Sequence, residues 1–189
     1  MPDLESPAAA ASAARPRWGA ALVWAALLSL LALVGFGLVR VQQGPVAAGA
    51  RAPDFELRTF DGQTFDTRAL RGQVVVVNFW ASWCRPCEAE AAELEQAYQI
   101  FRARGVVFLG VNYVDTEREA LQYLARFGIT YPNGPDLRTS ISQAFRIRGV
   151  PETYIVGADG VLHSVKIGPF ESLAEIVTAV EGALAAAGG

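Results

Sequence analysis

At 189 residues and a formal net charge of −3, the chain is long enough for one domain and an appendage, and it lacks the basic surplus that marks a nucleic-acid partner. Its two cysteines and single histidine cannot staple a small secreted scaffold and fall short of a four-ligand zinc site.

The hydropathy is concentrated at the N-terminus. From Trp18 to Val39 no residue carries a formal charge, with Arg15 and Arg17 before the run and Arg40 after it. As a helix the run spans roughly 33 Å, enough for a hydrocarbon core of about 30 Å, and it is read as a transmembrane anchor over 18–39. A cleaved signal peptide with Ala48-Gly49-Ala50 as its processing site is the alternative. The run exceeds the usual h-region of about 7–15 residues, and the small-residue site lies well beyond its end. Residues 1–17, rich in Ala, Pro and Ser, read as a disordered cytoplasmic tail and 40–51 as a tether. Charge counting alone does not orient the span. A signal-anchor with a short cytoplasmic tail delivers the domain at 52–187 to the periplasmic side of the cell membrane.

Within that domain, Phe55-Glu56-Leu57 and Thr64-Phe65 flank Asp61-Gly62 and predict an N-terminal β-hairpin. Val74 to Trp80 is an apolar, β-branched run suited to a buried central strand. Glu88 to Arg104 has helical periodicity and stops at Gly105. Val106 to Val114 predicts a second buried strand. Thr116 and Glu119 make a capping box for a helix that Gly128 ends, Ile129 to Tyr131 predicts a short strand, and Pro132-Asn133-Gly134-Pro135 a turn. A short helix over Ser140 to Phe145 follows, then a hairpin of Thr153–Val156 with Val161–Ile167, then a helix from Ser172 to about Ala187. Strands alternating with helices predict an α/β fold around a central mixed sheet.

Both cysteines lie in Trp83-Cys84-Arg85-Pro86-Cys87, where the central strand gives way to a helix. Glu88 occupies the position that haem attachment reserves for histidine, and His163 is the sole further imidazole, so the spacing favours a redox dithiol. A sulfur at a helix N-terminus is stabilised as thiolate, which makes Cys84 the nucleophile and Cys87, one turn on, the resolving thiol. Pro86 fits the first turn because its missing N–H has no helical partner there. For three neighbours two readings stand. Trp83 either shields the dithiol or fills the core. Glu90, on the helical face of Cys87, is either a general base or one of a run of exposed glutamates with Glu88, Glu93 and Glu95. Pro151 is either a trans proline entering a strand or a cis proline that leaves the Val150 backbone open to an extended segment.

The strand-Trp-Cys-x-Pro-Cys-helix unit, with Gly149-Val150-Pro151-Glu152-Thr153 ahead of a hairpin, resembles the thioredoxin fold with a central helix–strand insertion over Thr116 to Tyr131. Ala52-Pro53-Asp54-Phe55 and Asn78-Phe79-Trp80-Ala81-Ser82-Trp83-Cys84 are similar to its membrane-tethered branch, and within it to the cytochrome c biogenesis thiol:disulfide interchange proteins of the DsbE/CcmG type. The resemblance implies a redox-active disulfide at Cys84 and Cys87, an active-site carboxylate at Glu90, a cis proline at Pro151 and a following glutamate at Glu152. With Trp83, Val150, Pro151 and Glu152 as the substrate-binding set, it implies reduction of the haem-binding cysteines of apocytochrome c. It further implies recharging by a membrane electron donor of the DsbD/CcdA type, with no cofactor and no metal. Direction is not in the spacing, because such dithiols range from about −270 to −120 mV. A broader extracytoplasmic reductase, including copper-site assembly, and a tethered metal or haem chaperone are the competing readings.

Overall fold

The structure, a computed structural model, describes residues 18–42 and 44–188, in two units divided after Gln43. The expected tail at 1–17 lies outside the described residues. The first unit contains one helix, α1 (Trp18–Gln42), 25 residues long and without an acidic residue in its first turn. Its described side chains are exposed all round, Trp18, Leu22, Trp24 and Leu33 among them. Side chains are described without a break only over 21–37 of the expected span, and among the described residues no helix is long and apolar enough to cross a membrane.

The second unit begins at Gly44, earlier than the composition suggests. Residues 44–51, expected as tether, are docked. Val46 is buried and its N–H donates to the Phe145 carbonyl at 3.1 Å, while Gly49 N–H donates to Leu162 at 2.8 Å. An apolar side chain with a place in the core outweighs the Gly and Pro around it.

β1 (Glu56–Arg58) and β2 (Thr64–Asp66) pair as the expected antiparallel hairpin. The central sheet has five strands in the order β5-β4-β3-β6-β7. They are β3 (Val75–Trp80), β4 (Val107–Asn112), β5 (Asn133–Pro135), β6 (Glu152–Val156) and β7 (Leu162–Ile167). β3, β4 and β5 are mutually parallel, while β6 is antiparallel to β3 and to β7. The helices are α2 (Arg85–Phe101), α3 (Glu117–Phe127), α4 (Ser140–Phe145) and α5 (Leu173–Ala187).

β3 is buried on both faces, which is why it reads as a continuous apolar run. Its residues alternate between layers. Val75, Val77 and Phe79 join Leu57, Ile141, Phe145 and Tyr154 on one side. Val76, with Phe108 and Ile155, meets Leu94 and Phe101 of α2 and Ile176 and Val180 of α5 on the other. The caps work as their sequences imply. Thr116 Oγ1 accepts from Glu119 N–H at 3.3 Å, Ser172 Oγ accepts from Glu175 N–H at 3.3 Å, and Gly128 ends α3 at φ 63°.

One strand is displaced from its expected place. β5 forms at Asn133–Pro135, the stretch read as a turn, and Ile129–Tyr131 precedes it without strand pairing. Long-range partners decide this: Asn133 Oδ1 accepts from Trp80 Nε1 at 2.7 Å, and the Asn133 carbonyl accepts from Phe60 N–H at 2.8 Å. Gly134 is required there because a Cβ would run into the Arg58 carbonyl of the hairpin. Gly134→Ala therefore overpacks backbone against backbone, and urea unfolding is expected to show a loss of roughly 1–3 kcal/mol.

Candidate functional site

β3, β4 and β5 end at one edge of the sheet, and the antiparallel β6 begins there. Cys84 follows β3 across the short turn Ala81–Trp83, its N–H bonded to the Ala81 carbonyl at 3.1 Å. It is the N-cap of α2, in extended conformation, and its Sγ accepts from Cys87 N–H at 3.2 Å. The two sulfurs are joined as a disulfide, with Cα atoms 5.3 Å apart. Cys84 is 3% exposed and Cys87 1%, in an apolar cluster with Trp80, Ala91, Ala120 and Tyr123. Pro86 stands in the first turn of α2, where it costs no hydrogen bond.

Trp83 does not fill the core. It is 59% exposed beside the disulfide, and its Nε1 donates to the Val114 carbonyl at 3.0 Å. The turn that carries it is pinned by Asp115, whose carboxylate accepts from Ser82 N–H at 2.6 Å and Ser82 Oγ at 2.8 Å. Burial opposes ionisation of Asp115, but these bonds together with those from Asn112 and Thr116 prevail and hold its carboxyl below the usual range.

Glu90 is not one of the exposed glutamates. It is 1% exposed under α2, with Oε1 accepting from Asn78 Nδ2 at 3.1 Å and Oε2 from Phe170 N–H at 2.8 Å. Burial pushes its carboxyl up to about 7, against the pull of the Phe170 and Asn78 donors and the more distant Lys166 charge. Asn78 also donates to Thr153 Oγ1 at 3.0 Å, so one buried amide ties the dithiol helix, through Glu90, to β6. Sequence reasoning passed over Asn78 and Asp115. The available signal for Asn78 was a lone amide inside the apolar run Val74–Trp80.

The Val150–Pro151 peptide bond is cis. Val150 packs against the cluster that holds the disulfide, and neither its N–H nor its carbonyl has a backbone partner among the described residues. Glu152 lies inward, 1% exposed. Its carboxylate accepts from Arg148 N–H at 2.8 Å, Gly149 N–H at 3.3 Å and Tyr154 Oη at 2.6 Å. It braces the loop ahead of Pro151 from within. The structure thus gathers Trp83, Cys84, Pro86, Cys87, Glu90, Val150 and Pro151 at one edge, with Glu152 behind them. His163 lies in β7, its ring against Gly182 of α5.

The sequence matches the AhpC/TSA family over residues 48–165. It is 38% identical over 153 residues to the thiol:disulfide interchange protein DsbE of Allochromatium vinosum, covering 77% of this chain and 81% of that one. It is 31% identical over 147 residues to the thiol-disulfide oxidoreductase ResA of Geobacillus kaustophilus, covering 76% and 84% respectively. Among solved structures, a thioredoxin-family thiol:disulfide interchange protein from Chlorobium tepidum superposes with a TM-score of 0.67 at 30% identity, over 74% of this chain and 99% of that one. The mixed five-stranded sheet with its helices and N-terminal hairpin is the thioredoxin fold that the resemblance implies, with the inserted strand at Asn133–Pro135 rather than within Thr116–Tyr131.

A carboxyl whose pKa rises from 4.5 to about 7 on folding is held protonated by the fold, so stability is full below pH 4.5 and falls as pH rises towards 7. Urea unfolding of the oxidised protein is expected to lose about 3 kcal/mol across that window, and Glu90→Gln to flatten this component. Asn78→Ala removes a donor to the ionised carboxylate and is expected to move the Glu90 titration further above 7, read by carboxyl-carbon NMR.

Proposed function

The chain belongs to the AhpC/TSA family and is a thiol-disulfide oxidoreductase of the ResA and DsbE type, and from that premise we propose that it reduces the haem-binding cysteines of apocytochrome c. The observation that carries this reading is the buried Glu90 beneath a Cys-x-x-Cys that faces the cis Val150–Pro151 loop. That is the site residue set the resemblance to cytochrome c biogenesis proteins implies.

In the proposed cycle the substrate's extended segment pairs with the open Val150 backbone. The Cys84 thiolate attacks the substrate disulfide, forming a mixed disulfide and releasing one substrate thiolate. Cys87 then gives its proton to Glu90 and attacks the Cys84 sulfur, which expels the second substrate thiolate and leaves Cys84–Cys87 oxidised. Two electrons pass to the substrate, whose thiolates take up two protons. A membrane electron donor of the DsbD/CcdA type returns the pair to the dithiol. Glu152 keeps the Val150–Pro151 loop in register and makes no contact with substrate in this scheme. In this scheme the uncharged run from Trp18 to Val39 delivers the 44–188 unit to the extracytoplasmic side, where apocytochrome c and the electron donor meet it.

Deleting the gene is expected to abolish most covalent c-type haem, visible on haem-stained gels, with rescue by added thiol. Normal haem attachment in the deletion strain without thiol would remove apocytochrome c as substrate and leave the broader reductase. Equilibration of the Cys84–Cys87 couple with glutathione is expected to place it near the reducing end, about −270 mV, and a value near −120 mV would reverse the direction.

A further inference from the structure

The exposed large apolar side chains of the second unit are unevenly placed. Among the described residues they are Trp83, Ile100, Val114, Leu121, Leu137 and Ile167. Four of these stand at the dithiol edge: Trp83 between β3 and α2, Val114 just beyond β4, Leu137 just beyond β5, and Ile167 at the end of β7.

Val114 is the most informative of them. It has φ 43°, a left-handed conformation that a β-branched side chain adopts only under strain and that glycine adopts freely. Of the described non-glycine residues at positive φ (Val114, Arg138, Thr139 and Arg146), it alone has an apolar side chain. The conformation is held from both sides. Tyr113 N–H donates to the Trp80 carbonyl at 2.8 Å, Trp83 Nε1 donates to the Val114 carbonyl at 3.0 Å, and Asp115 accepts from Ser82 and Asn112. The result is a valine side chain 59% exposed, next to an indole also 59% exposed, beside the disulfide. Strain kept in place by surrounding bonds at a reactive site points to a task for the strained residue.

We propose that Trp83 and Val114 form an apolar clamp that selects substrates by a bulky apolar side chain close to the substrate's disulfide. The proposal rests on the reductase reading given above and adds a sequence preference to it. Spacing sets where that side chain lies. β4 and β6 flank β3, so the chain at Val114 and the chain at Val150 are two strand spacings apart, roughly 9–10 Å, a distance an extended segment covers in about three residues. A substrate strand paired on Val150 and crossing the dithiol brings a residue about three positions away onto the clamp. An apolar side chain there covers indole and valine surface that is otherwise wet.

The test uses disulfide-closed Cys-x-x-Cys peptides that carry leucine two, three or four residues from the nearer cysteine, against a parent with alanine throughout. The full-length reduced protein is expected to favour the best leucine peptide in kcat/KM by about tenfold, the effect of desolvating one large apolar side chain. Val114→Gly is expected to bring that ratio below about twofold, with a thermal midpoint equal to or above the wild-type value because the strain is gone. Equal rates on all peptides, or a preference that survives Val114→Gly, would overturn the clamp and leave the reductase reading intact. A lowered midpoint with the same loss on every peptide would make Val114 a packing residue and also overturn it. Failure of the wild-type protein to reduce any of the peptides would overturn the reductase reading, and the clamp with it.

Discussion

Asn78 holds the site together. It sits in the middle of β3 on the face covered by α2, and its amide nitrogen donates to Glu90 Oε1 and to Thr153 Oγ1. β3 delivers Cys84 at its end, α2 carries Cys87 and Glu90, and Thr153 lies two residues beyond Pro151. A buried amide leaves no donor unpaired without cost, so both bonds are retained and the three elements keep a fixed relation. Breaking either bond loosens the dithiol from the loop opposite it.

Three carboxylates around the edge show how environment assigns different work to one chemical group. Asp115 receives four donors, from Ser82, Asn112 and Thr116, and stays ionised as a brace for the Trp83 turn. Glu152 receives two backbone N–H groups and the Tyr154 hydroxyl, and braces the turn ahead of Pro151. Glu90 has two donors and is 1% exposed; the cost of burying its charge prevails and the carboxyl is pushed up to about 7. The two braces stand on either side of the disulfide, while Glu90 lies beneath it on the helix that bears Cys87.

Much of this was legible in the sequence where the cause is local. The hairpins, the capped helices α3 and α5, the central strand and the strand-to-helix placement of Cys84 all depend on neighbours within a few residues. The rest depends on partners far along the chain. Glu90 is surrounded in sequence by Glu88, Glu93 and Glu95 and looks like a solvated face; it is buried because Phe170 N–H, 80 residues away, meets it. Asn133-Gly134-Pro135 has the composition of a turn and becomes β5 because Gly110–Asn112 and the Trp80 indole supply partners. Glu152 enters the substrate-binding set only through the family resemblance; in β6 its carboxylate lies inward and accepts from Tyr154 Oη. Val46 was hidden in a stretch whose glycines and proline suggested a tether.

The placement of Glu90 near neutrality bears on the cycle as a whole. In the proposed cycle Cys87 loses a proton when it resolves the mixed disulfide and regains one when the pair is recharged. A group that takes and returns a proton is most effective when its pKa lies near the working pH. An exposed glutamate, at its ordinary value, is too acidic to accept readily from a thiol. Burial without donors would carry it too far in the other direction. The Asn78 amide and the Phe170 N–H set the limit, each favouring the ionised form against desolvation. Because Asn78 is shared with Thr153, the proton affinity of Glu90 is tied to the seating of the strand behind Pro151. In the proposed cycle, substrate docking at Val150 and proton transfer at Cys87 therefore bear on the same hydrogen-bonded amide.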